Sequence, residues 1–399
     1  MKERYRHIVI GAGAIGTAAA YWLSKVSDGD VLVLEQFEIG HTLGSSEDHS
    51  RIIRHSYSST AYTNLTRAAY KAWAHVEEQT GLDLVHKTGH LDLATEDTAG
   101  AAVLSGVKDA LASSGIMYEE VDAAEIRKRW PQWNIDDSVY GIYQREGGIL
   151  DIRHANAAHI ALARTLGATF LANTPVTRVI PNRDGVTVRT SKGTFSADSL
   201  TLCAGSWNPE LLAPLGVNLP VTLSQEQVSY FATPNLRDFT RDRFPTWIYR
   251  DNDTDWYGFP IYGEPAVKVA RDMAGRFITQ QTRSYEPDPE ETEILRNFLA
   301  EKLPSAVGTE RVSKTCVYDM PPDRDFILDH VPGFPNISLC VGAGHAGKFA
   351  GLFGSILADL ATSGSTIHPI SAFRADRPAL TDPNFIPAFH RTGTAAATR

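Results

Sequence analysis

The sequence predicts an α/β protein in which a parallel-sheet unit is interrupted by a second, strand-rich unit. Residues 1–35 alternate between short apolar runs and a helical pattern. Residues from about 220 to 315 instead contain alternating runs rich in aromatic side chains, and the chain then returns to an apolar strand and a long apolar helix. Because 399 residues exceed the usual size of one hydrophobic core, two domains are expected, one of them discontinuous.

The N-terminal segment has the pattern of a strand, a tight turn, a helix and a second strand. HIVI (7–10) and VLVLE (31–35) are short apolar runs, typical of central parallel strands that are covered on both faces. Between them, residues 18–20, Trp22 and Leu23 give the helix a small, apolar surface that suits close packing on a sheet. The segment is therefore predicted to be a βαβ unit.

The turn GAGAIG (11–16) has the context of a dinucleotide-binding motif, because it follows a strand and opens a helix. Gly11 permits the sharp turn, Gly13 lets a pyrophosphate approach the backbone, and Gly16 allows the helix to lie against the sheet. The phosphate is expected at the helix N-terminus. Glu35 ends the next strand, where it can accept hydrogen bonds from a ribose diol. The motif leaves FAD and NAD open, and a glycine turn without a ligand is the structural alternative.

The hydrophobic pattern divides the rest of the chain into further elements. Helices are predicted over about 63–79, 100–130, 286–304 and 348–364, strands over 87–94, 227–233, 246–250, 256–263, 266–272 and 336–344, and a hairpin turn at SKG (191–193). A Rossmann-like domain is predicted to comprise 1–85, 146–218 and 316–385, and a mixed-sheet substrate domain 86–145 and 219–315. The segment beyond about Arg377 is predicted to be loosely held, with a flexible tail over 386–399.

Composition excludes several classes of function. Lys and Arg number 38 against 47 Asp and Glu, and no basic block occurs, so nucleic acid and acidic membranes are poor candidate partners. No apolar run is long enough to span a bilayer and no signal peptide is evident, which predicts a cytoplasmic location. Cys203, Cys316 and Cys340 are few and widely spaced, so we expect reduced thiols and neither a disulfide framework nor a metal site.

Motifs along nearly the whole chain to about residue 380 carry a resemblance to a known family. They are, in order, GHTLGSSEDHSRIIRH (40–55), REGGILDIR (145–153), CAGSWN (203–208), WYGFPIYG (256–263), AVKV (266–269), TCVYDM (315–320), DRDFILD (323–329), GAGHAGKFAG (342–351) and FRADRPAL (373–380). In this order they resemble the monomeric sarcosine oxidase and N-methyltryptophan oxidase family, within the D-amino-acid-oxidase-like FAD flavoproteins.

The resemblance implies one FAD per chain, carried covalently through a thioether between Cys316 and the 8α-methyl carbon of the flavin. Arg51 resembles the flavin-facing arginine of the family, and a cation there would favour the Cys316 thiolate. A small buried hydrophobe is the alternative role for Cys316, while Cys203 and Cys340 are predicted to be structural. The expected FAD-binding residues are Gly11, Gly13, Ala14, Ile15, Gly16, Glu35, Ser45, Ser46, Ser50, Arg51, Val176, Ala204, Gly205, Trp207, Cys316, Gly344, His345, Gly347 and Lys348.

The resemblance also assigns catalytic roles. Arg54 and Lys348 correspond to the residues that bind the substrate carboxylate, and Lys268 corresponds to the lysine that activates oxygen. Tyr257 resembles an aromatic residue of the substrate cavity, and Arg51 is the flavin-facing cation. The segment from Gly344 to Lys348 is expected to direct a helix N-terminus and a positive charge at the flavin N1 and C2 carbonyl. The structural alternatives are surface or ion-paired positions for the basic residues and a core position for Tyr257.

The implied reaction is oxidation of an N-methyl or other secondary α-amino acid, and the enzyme is expected to be a monomer. Hydride passes from the carbon beside nitrogen to flavin, the imine hydrolyses, and O2 is reduced to hydrogen peroxide. Same-fold alternatives act on a cyclic imino acid such as proline or pipecolate, or on a biosynthetic intermediate. A non-catalytic FAD-carrying subunit is a more distant alternative, and an NAD-dependent dehydrogenase is rejected because TCVY and GHAGKF have no role in it.

Two positions depart from the family pattern. Glu47 and Asp272 stand where sarcosine oxidases carry histidines. If both face the cavity, their negative charge disfavours a small zwitterion and favours a substrate with a second cationic group. A surface position for Glu47 is the alternative, and the sequence leaves the choice of substrate open.

Overall fold

The computed structural model describes residues 2–389, which build two large sheets and a small one. The strands are, in chain order, β1 (Arg4–Ile10), β2 (Val31–Leu34), β3 (Arg51–Ile53), β4 (Val85–His86), β5 (His90–Thr95), β6 (Glu119–Asp122), β7 (Val139–Gln144), β8 (Gly148–Leu150), β9 (Thr169–Leu171), β10 (Val176–Asn182), β11 (Gly185–Thr190), β12 (Gly193–Leu202), β13 (Thr222–Ala232), β14 (Thr246–Arg250), β15 (Asp255–Phe259), β16 (Val267–Asp272), β17 (Arg276–Ile278), β18 (Thr309–Met320), β19 (Ile327–Val331) and β20 (Phe334–Val341).

The helices lie between these strands and against the sheets. They are α1 (Ala14–Val26), α2 (Thr60–Thr80), α3 (Ala99–Ser113), α4 (Ala123–Arg129), α5 (Ile152–Thr165), α6 (Asn208–Leu212), α7 (Pro289–Lys302), α8 (Ala350–Ser363) and α9 (Pro378–Thr381). Side chains cap several of them at the start: Ser59 caps α2, Thr98 caps α3, and Asp288 caps α7 as the sequence predicted.

The first large sheet has a parallel centre in the order β20, β12, β1, β2, β9. The strand patterns explain this position, because β2 is buried at every residue and β1 at its last four. α1 connects β1 to β2, so the predicted βαβ unit and the α/β fold class are confirmed. β10 and β11 extend the sheet beyond β12, and the predicted hairpin turn at Ser191 and Lys192 connects β11 to β12.

The second large sheet is mixed and contains the aromatic-rich strands predicted between 220 and 315. Its path is β17, β13, β16, β15, β14, β5, β7, β6, and β18 pairs along β13. All pairs are antiparallel except β14 with β5. One face packs on α7, where Trp247, Trp256 and Phe298 stack. The small sheet has the order β3, β8, β4, and Arg51 begins its strand β3.

The helix predicted over 100–130 is wrong in part. The structure ends α3 at Ser113, and the chain turns at Gly115, whose φ is +60°. The segment then forms β6, which pairs with β7, before the short α4 begins. A glycine with positive φ at the end of a polar helix is a common termination signal, and it outweighs the amphipathic pattern that continues on both sides of it.

The end of the described chain is held by specific contacts, in contrast to the loose segment predicted from Arg377. Arg377 forms a two-point ion pair with Asp323, at 2.6 and 2.8 Å, and the Ala388 N–H donates to the Pro322 carbonyl at 2.7 Å. The predicted tail over 386–399 falls outside the described residues from 390 onward.

The predicted division into domains stays a prediction, but the sheets show which segments build each layer. The first large sheet takes its strands from 4–34, 169–202 and 327–341, and the second from 90–144, 222–278 and 309–320. The predicted boundary between 315 and 316 lies inside β18. β18 pairs with β13 on both sides of this position, from Thr309 to Met320, with one irregularity between Tyr230 and Phe231.

Close packing of α1 against α8 fixes the helical layer on the first large sheet. Gly354 lies where a Cβ atom would come within 2.5 Å of the Ala18 carbonyl carbon and 2.7 Å of the Ala19 nitrogen. Because these are backbone atoms, they cannot move aside without separating the helices. The glycine is therefore required by the helix contact and not by a turn.

We predict that Gly354→Val lowers the free energy of unfolding by about 1–3 kcal/mol, because the new side chain overpacks this contact. Thr362→Val is the matched control, since it places the same side chain near the exposed end of α8 and should change stability by less than about 0.5 kcal/mol. Denaturant unfolding measures both. Equal stability of Gly354→Val and the native protein would contradict the close packing.

Candidate active site

A large cavity, of about 1020 Å³, extends from the turn before α1 to residues of the second large sheet. Its wall includes residues from β1, β3, β16 and β18 and from the loop that precedes β3. Every site residue predicted from the sequence lies on this wall except Gly16. The structure thus brings together side chains that are separated by more than 300 residues in the chain.

The glycine turn at one end of the cavity leaves no room for side chains. Gly11 has φ +99°, and a Cβ on it would lie 2.3 Å from the Cys203 carbonyl oxygen. A Cβ on Gly16 would lie 1.9 Å from the Gly11 oxygen, so this glycine closes the turn behind the wall. Gly13 begins α1 without a side-chain cap, and Ser46 Oγ accepts a 2.9 Å hydrogen bond from the Ala14 N–H. A helix N-terminus without its own cap favours an anion.

Glu35 follows β2 beside this turn and is buried. Its carboxylate accepts hydrogen bonds from the Ala12 N–H at 2.8 Å and the Phe37 N–H at 3.0 Å. Burial acts to raise the pKa of Glu35, but the hydrogen bonds from His41, Ala12 and Phe37 outweigh it and lower the pKa. The group is therefore a charged acceptor, suited to a ribose diol. Val176, Ala204, Gly205 and Trp207 lie on the cavity wall as well.

Cys316 lies on β18 where the loop before β3 crosses that strand. The Ser45 hydroxyl donates to the Val317 carbonyl, and the Arg51 guanidinium donates to the carbonyls of Ser45, at 2.7 Å, and Ser50, at 2.8 Å. Burial raises the pKa of the Cys316 thiol to about 11, and this effect exceeds the lowering by the charge of Arg51. The Arg51 charge lowers the pKa of the thiol, as expected, but burial keeps that pKa above its ordinary value.

Glu226 is a buried acid beside Cys316 that the sequence did not reveal. It is paired directly with Cys316 across the ladder of β13 and β18. Its carboxylate accepts hydrogen bonds from the Ser224 hydroxyl and from the Gly275 N–H at 3.0 Å. Burial raises the pKa of Glu226 to about 7. The strand predicted over 227–233 begins one residue after Glu226, so the sequence pattern did not mark this acid as part of an inner strand.

A second group of cations lies around Tyr57. The Arg54 guanidinium carbon is 4.5 Å and the Lys348 Nζ 5.7 Å from the centre of the Tyr57 ring. Lys348 Nζ donates to the His345 carbonyl at 3.1 Å, and Arg54 donates to the Ser56 hydroxyl at 3.1 Å. Burial lowers the pKa of Lys348 to about 7, with the Arg54 charge as a further cause. Two adjacent basic groups facing a cavity suit an anionic ligand.

Lys268 is buried on β16, which excludes the surface position that the sequence analysis gave as its alternative. Its ammonium group donates to the Asp48 carboxylate, to the Ser50 carbonyl at 3.2 Å and to the Ser50 hydroxyl at 3.4 Å. The Nζ atom also lies 4.6 Å from the centre of the Phe259 ring. Burial lowers the pKa of Lys268 to about 8, although the charge of Asp48 opposes this effect.

Asp48 is the counter-ion at this point of the cavity and was missed by sequence reasoning. Besides Lys268, it accepts hydrogen bonds from the Tyr230 hydroxyl at 2.8 Å and from Lys314 Nζ at 3.2 Å. Arg51 approaches it to 3.8 Å. Although burial acts to raise the pKa of Asp48, the charges of Lys268 and Arg51 hold it far below its usual range.

The two departures from the family pattern both lie on the cavity wall, and each is paired with an arginine. Glu47 pairs with Arg153, which is the second residue of α5. Asp272 accepts a 2.8 Å hydrogen bond from Arg324, and the Arg324 carbonyl lies 3.2 Å from His345 Nε2. Both carboxylates therefore face the cavity, as the sequence analysis considered. They do not make it acidic, because each carboxylate is neutralised by a cationic partner.

The segment before α8 differs slightly from the predicted single helix. It forms a 3₁₀ turn at Ala346–Phe349 that leads into α8. Gly344 has φ +79°, and a Cβ on it would lie 2.3 Å from the Tyr318 ring. Tyr257 and Tyr318 both line the cavity, and Tyr257 also packs on Phe259. Tyr257 thus combines the cavity and core positions that the sequence left open.

The described residues lack two other kinds of site. Within 2–389, no group of three or more His, Cys, Asp or Glu side chains is placed to hold a metal ion. In the same range, no helix has both the length and the apolar composition needed to cross a membrane.

The fold and the cavity define the class of the FAD-dependent oxidoreductases, whose family model matches residues 6–360, and the chain belongs to this family. It is 31% identical to monomeric sarcosine oxidase of Bacillus sp. strain NS-129 over 384 residues, which are 95% of this chain and 98% of that one. It is 30% identical to N-methyl-L-tryptophan oxidase of Escherichia coli O127:H6 over 94% of this chain and 99% of that protein. The resemblance stated from the motifs is confirmed.

The solved structures include a close match in fold. The open form of NikD, described as an unusual amino acid oxidase essential for nikkomycin biosynthesis, superimposes with a TM-score of 0.83. The match has 28% identity and covers 94% of this chain and 98% of NikD. The two-layer architecture described above is therefore shared with an amino acid oxidase of known structure.

We predict that the affinity for a simple carboxylate such as acetate falls as the pH rises through about 7, the pKa of Lys348. Lys348 is cationic below this pH and neutral above it, so binding weakens by up to about tenfold per pH unit on the alkaline side. Calorimetric titration between pH 6 and 9 measures the change.

Lys348→Met should bind acetate weakly and without this pH dependence. Lys128→Met removes an exposed lysine of α4 and should keep the native profile. An acetate affinity of the native protein that is constant from pH 6 to 9 would contradict a role for Lys348 as the titrating cation.

Proposed function

We propose that the protein is an FAD-dependent amine oxidase that acts on an N-methyl or other secondary α-amino acid. It would oxidise the C–N bond, release an imine for hydrolysis and reduce O2 to hydrogen peroxide. The observation that carries this proposal is one continuous cavity. Its wall includes a dinucleotide turn with Glu35, the cations Arg54 and Lys348, and the buried Lys268.

The residues present fit FAD. The turn at Gly11 and Gly13 is a cradle that Cβ atoms would fill, and the charged Glu35 carboxylate lies beside it. A cavity of about 1020 Å³ has the volume for a dinucleotide and a small substrate. When bound, FAD would supply the acceptor for a hydride and the means to pass electrons to O2. The chain would contribute binding, orientation and electrostatics.

Arg54 and Lys348 would hold the substrate carboxylate. Arginine fixes a planar carboxylate in position and orientation through paired N–H groups, and lysine adds a second charge. The anion would also relieve the repulsion between the two cations, which contributes to the lowered pKa of Lys348. With the carboxylate fixed, the carbon beside the amine is presented in one orientation, which is the requirement for rapid transfer.

Lys268 would stabilise negative charge that develops as O2 is reduced. A buried ammonium in a low-dielectric wall acts more strongly on such a charge than one in water. The structure supports this role by burying Lys268 to 3% exposure while its carboxylate partner lies at hydrogen-bond distance. A non-catalytic FAD-carrying subunit has no need of a buried cation at this point, so the oxidase is preferred.

The similarity to NikD favours a second candidate within the same class. Because NikD is described as essential for a biosynthesis, the second candidate substrate is a biosynthetic intermediate, which would use the same carboxylate site. The Asp272 and Arg324 pair would then face the rest of the molecule, since both lie on the cavity wall. The cytoplasmic location and the monomeric state stay predictions.

The test of this function is a peroxide-coupled screen in air with N-methyl amino acids, cyclic imino acids and primary amino acids. We expect peroxide release with a secondary amine that carries an α-carboxylate and weak or no release with the corresponding primary amine. In Lys268→Met, anaerobic reduction of the flavin by the best substrate should stay near the native rate. Its reoxidation by O2 should slow by about 100-fold or more.

The anaerobic half-reaction is the internal control, because a general disturbance of the site slows both halves. Release of peroxide with none of the secondary amines, in a preparation that contains FAD, would overturn the proposed substrate class. Equal slowing of both halves in Lys268→Met would remove its assigned role.

We further propose that Cys316 carries FAD covalently. The native protein should keep its yellow colour and the added mass of FAD after denaturation, whereas Cys316→Ser should release both. Cys203→Ala changes a thiol that also lines the cavity and should retain the covalent flavin. Mass spectrometry of the denatured proteins measures the difference. A colourless native polypeptide after denaturation would contradict the covalent link.

A further inference from the structure

Asp48 connects the loop before β3 to three strands of the second large sheet. Its carboxylate, 4% exposed, accepts hydrogen bonds from Tyr230 on β13, Lys268 on β16 and Lys314 on β18. The loop itself is part of the wall that also contains the glycine turn and Arg51. A short acidic side chain therefore joins the dinucleotide side of the cavity to the side that carries Lys268.

Burial destabilises the charged form of Lys268, and Asp48 stabilises it. A lysine in an apolar wall loses the hydration of its ammonium group and tends to become neutral. The nearby Arg51 charge acts in the same direction. Of the groups that face Lys268, Asp48 is the one whose charge opposes both effects at hydrogen-bond distance. The Phe259 ring adds a weaker attraction at 4.6 Å.

We propose that Asp48 is a positioning residue that keeps the Lys268 ammonium charged and fixes its direction at the cavity wall. This inference rests on the proposed function, in which the charge of Lys268 serves the reaction with O2. Asp48 acts through Lys268 and does not itself touch the substrate. Its own hydrogen bond from Tyr230 fixes one carboxylate oxygen and leaves the other to bind Lys268.

The charged and titratable groups around Lys268 define what a pH titration would report. Asp48 faces it from the loop, Arg51 from β3, Tyr230 from β13, and Lys314 and Cys316 from β18. Tyr230 and Cys316 are neutral at pH 7 because burial raises the pKa of each above the ordinary value. Removal of the Asp48 charge leaves Lys268 with the cations Arg51 and Lys314 as its charged neighbours.

The test uses the full chain carrying isotopically labelled lysine, with the Lys268 signal identified by its loss in Lys268→Met. In the native protein, the Nζ group should titrate near pH 8. In Asp48→Asn, which keeps the shape of the side chain, the midpoint should move down by about one to three pH units. The pH at which reoxidation by O2 loses half its rate should move down with it.

Matched variants separate charge from structure. Asp48→Glu keeps the carboxylate and should restore a midpoint above that of Asp48→Asn. Glu291→Gln removes the acid that pairs with Arg271 at the far end of β16, and it should leave the Lys268 titration unchanged. Lys314→Met removes a cation that competes with Lys268 for Asp48, so it should move the Lys268 midpoint to higher pH. This shift is opposite in sign to that of Asp48→Asn, and it can be measured even if Asp48→Asn does not fold.

The outcomes distinguish this inference from the proposed function. An Asp48→Asn midpoint equal to the native one, or a Lys314→Met midpoint that is unchanged or lower, would overturn the positioning role. If the titration shifts as expected but Lys268→Met reoxidises at the native rate, the positioning role stands and the role of Lys268 in the proposed function fails. A shift in both the titration and the reoxidation profile supports both.

Discussion

The active cavity depends on how positive charge is kept in a buried wall. Arg51, Arg54, Lys268 and Lys348 all face it, and burial lowers the pKa of both lysines toward neutrality. Asp48 compensates the charge at Lys268, whereas Arg54 and Lys348 lie close to each other around Tyr57. The poor solvation of a buried ammonium group is thus offset by an internal ion pair at Lys268, and in the proposed function a substrate carboxylate would have the same effect at Lys348.

This arrangement explains why the site lies between the two large sheets. The first sheet supplies the glycine turn and Glu35, which suit a phosphate and a ribose, and the second supplies Lys268 and Cys316. The loop before β3 spans the distance and presents backbone carbonyls to Arg51, so that its conformation and the position of the guanidinium support each other. The residues that suit a dinucleotide and the residues proposed to act at its reactive end therefore come from different sheets.

The sequence predicted the elements whose pattern is local. The βαβ unit, the hairpin at 191–193 and the capped helix α7 all follow from residues close together in the chain. The helix over 100–130 failed because Gly115 interrupts a pattern that otherwise continues. Among site residues, the motifs identified those that line the cavity, but Asp48 could not be predicted, because its partners Lys268 and Lys314 lie 220 and 266 residues away. Glu226 was missed for the same reason, since its neighbour Cys316 belongs to another strand.

The long pairing of β18 with β13 fixes the face of the sheet on which Cys316 lies. Side chains of a strand alternate between faces, so a slip of one residue would move Cys316 to the opposite face of the sheet. The ladder runs from Thr222 opposite Met320 to Ala232 opposite Thr309, and a slip would have to break all of it. The placement of the Cys316 side chain is thus fixed by eleven paired positions along two strands and not by its own surroundings alone.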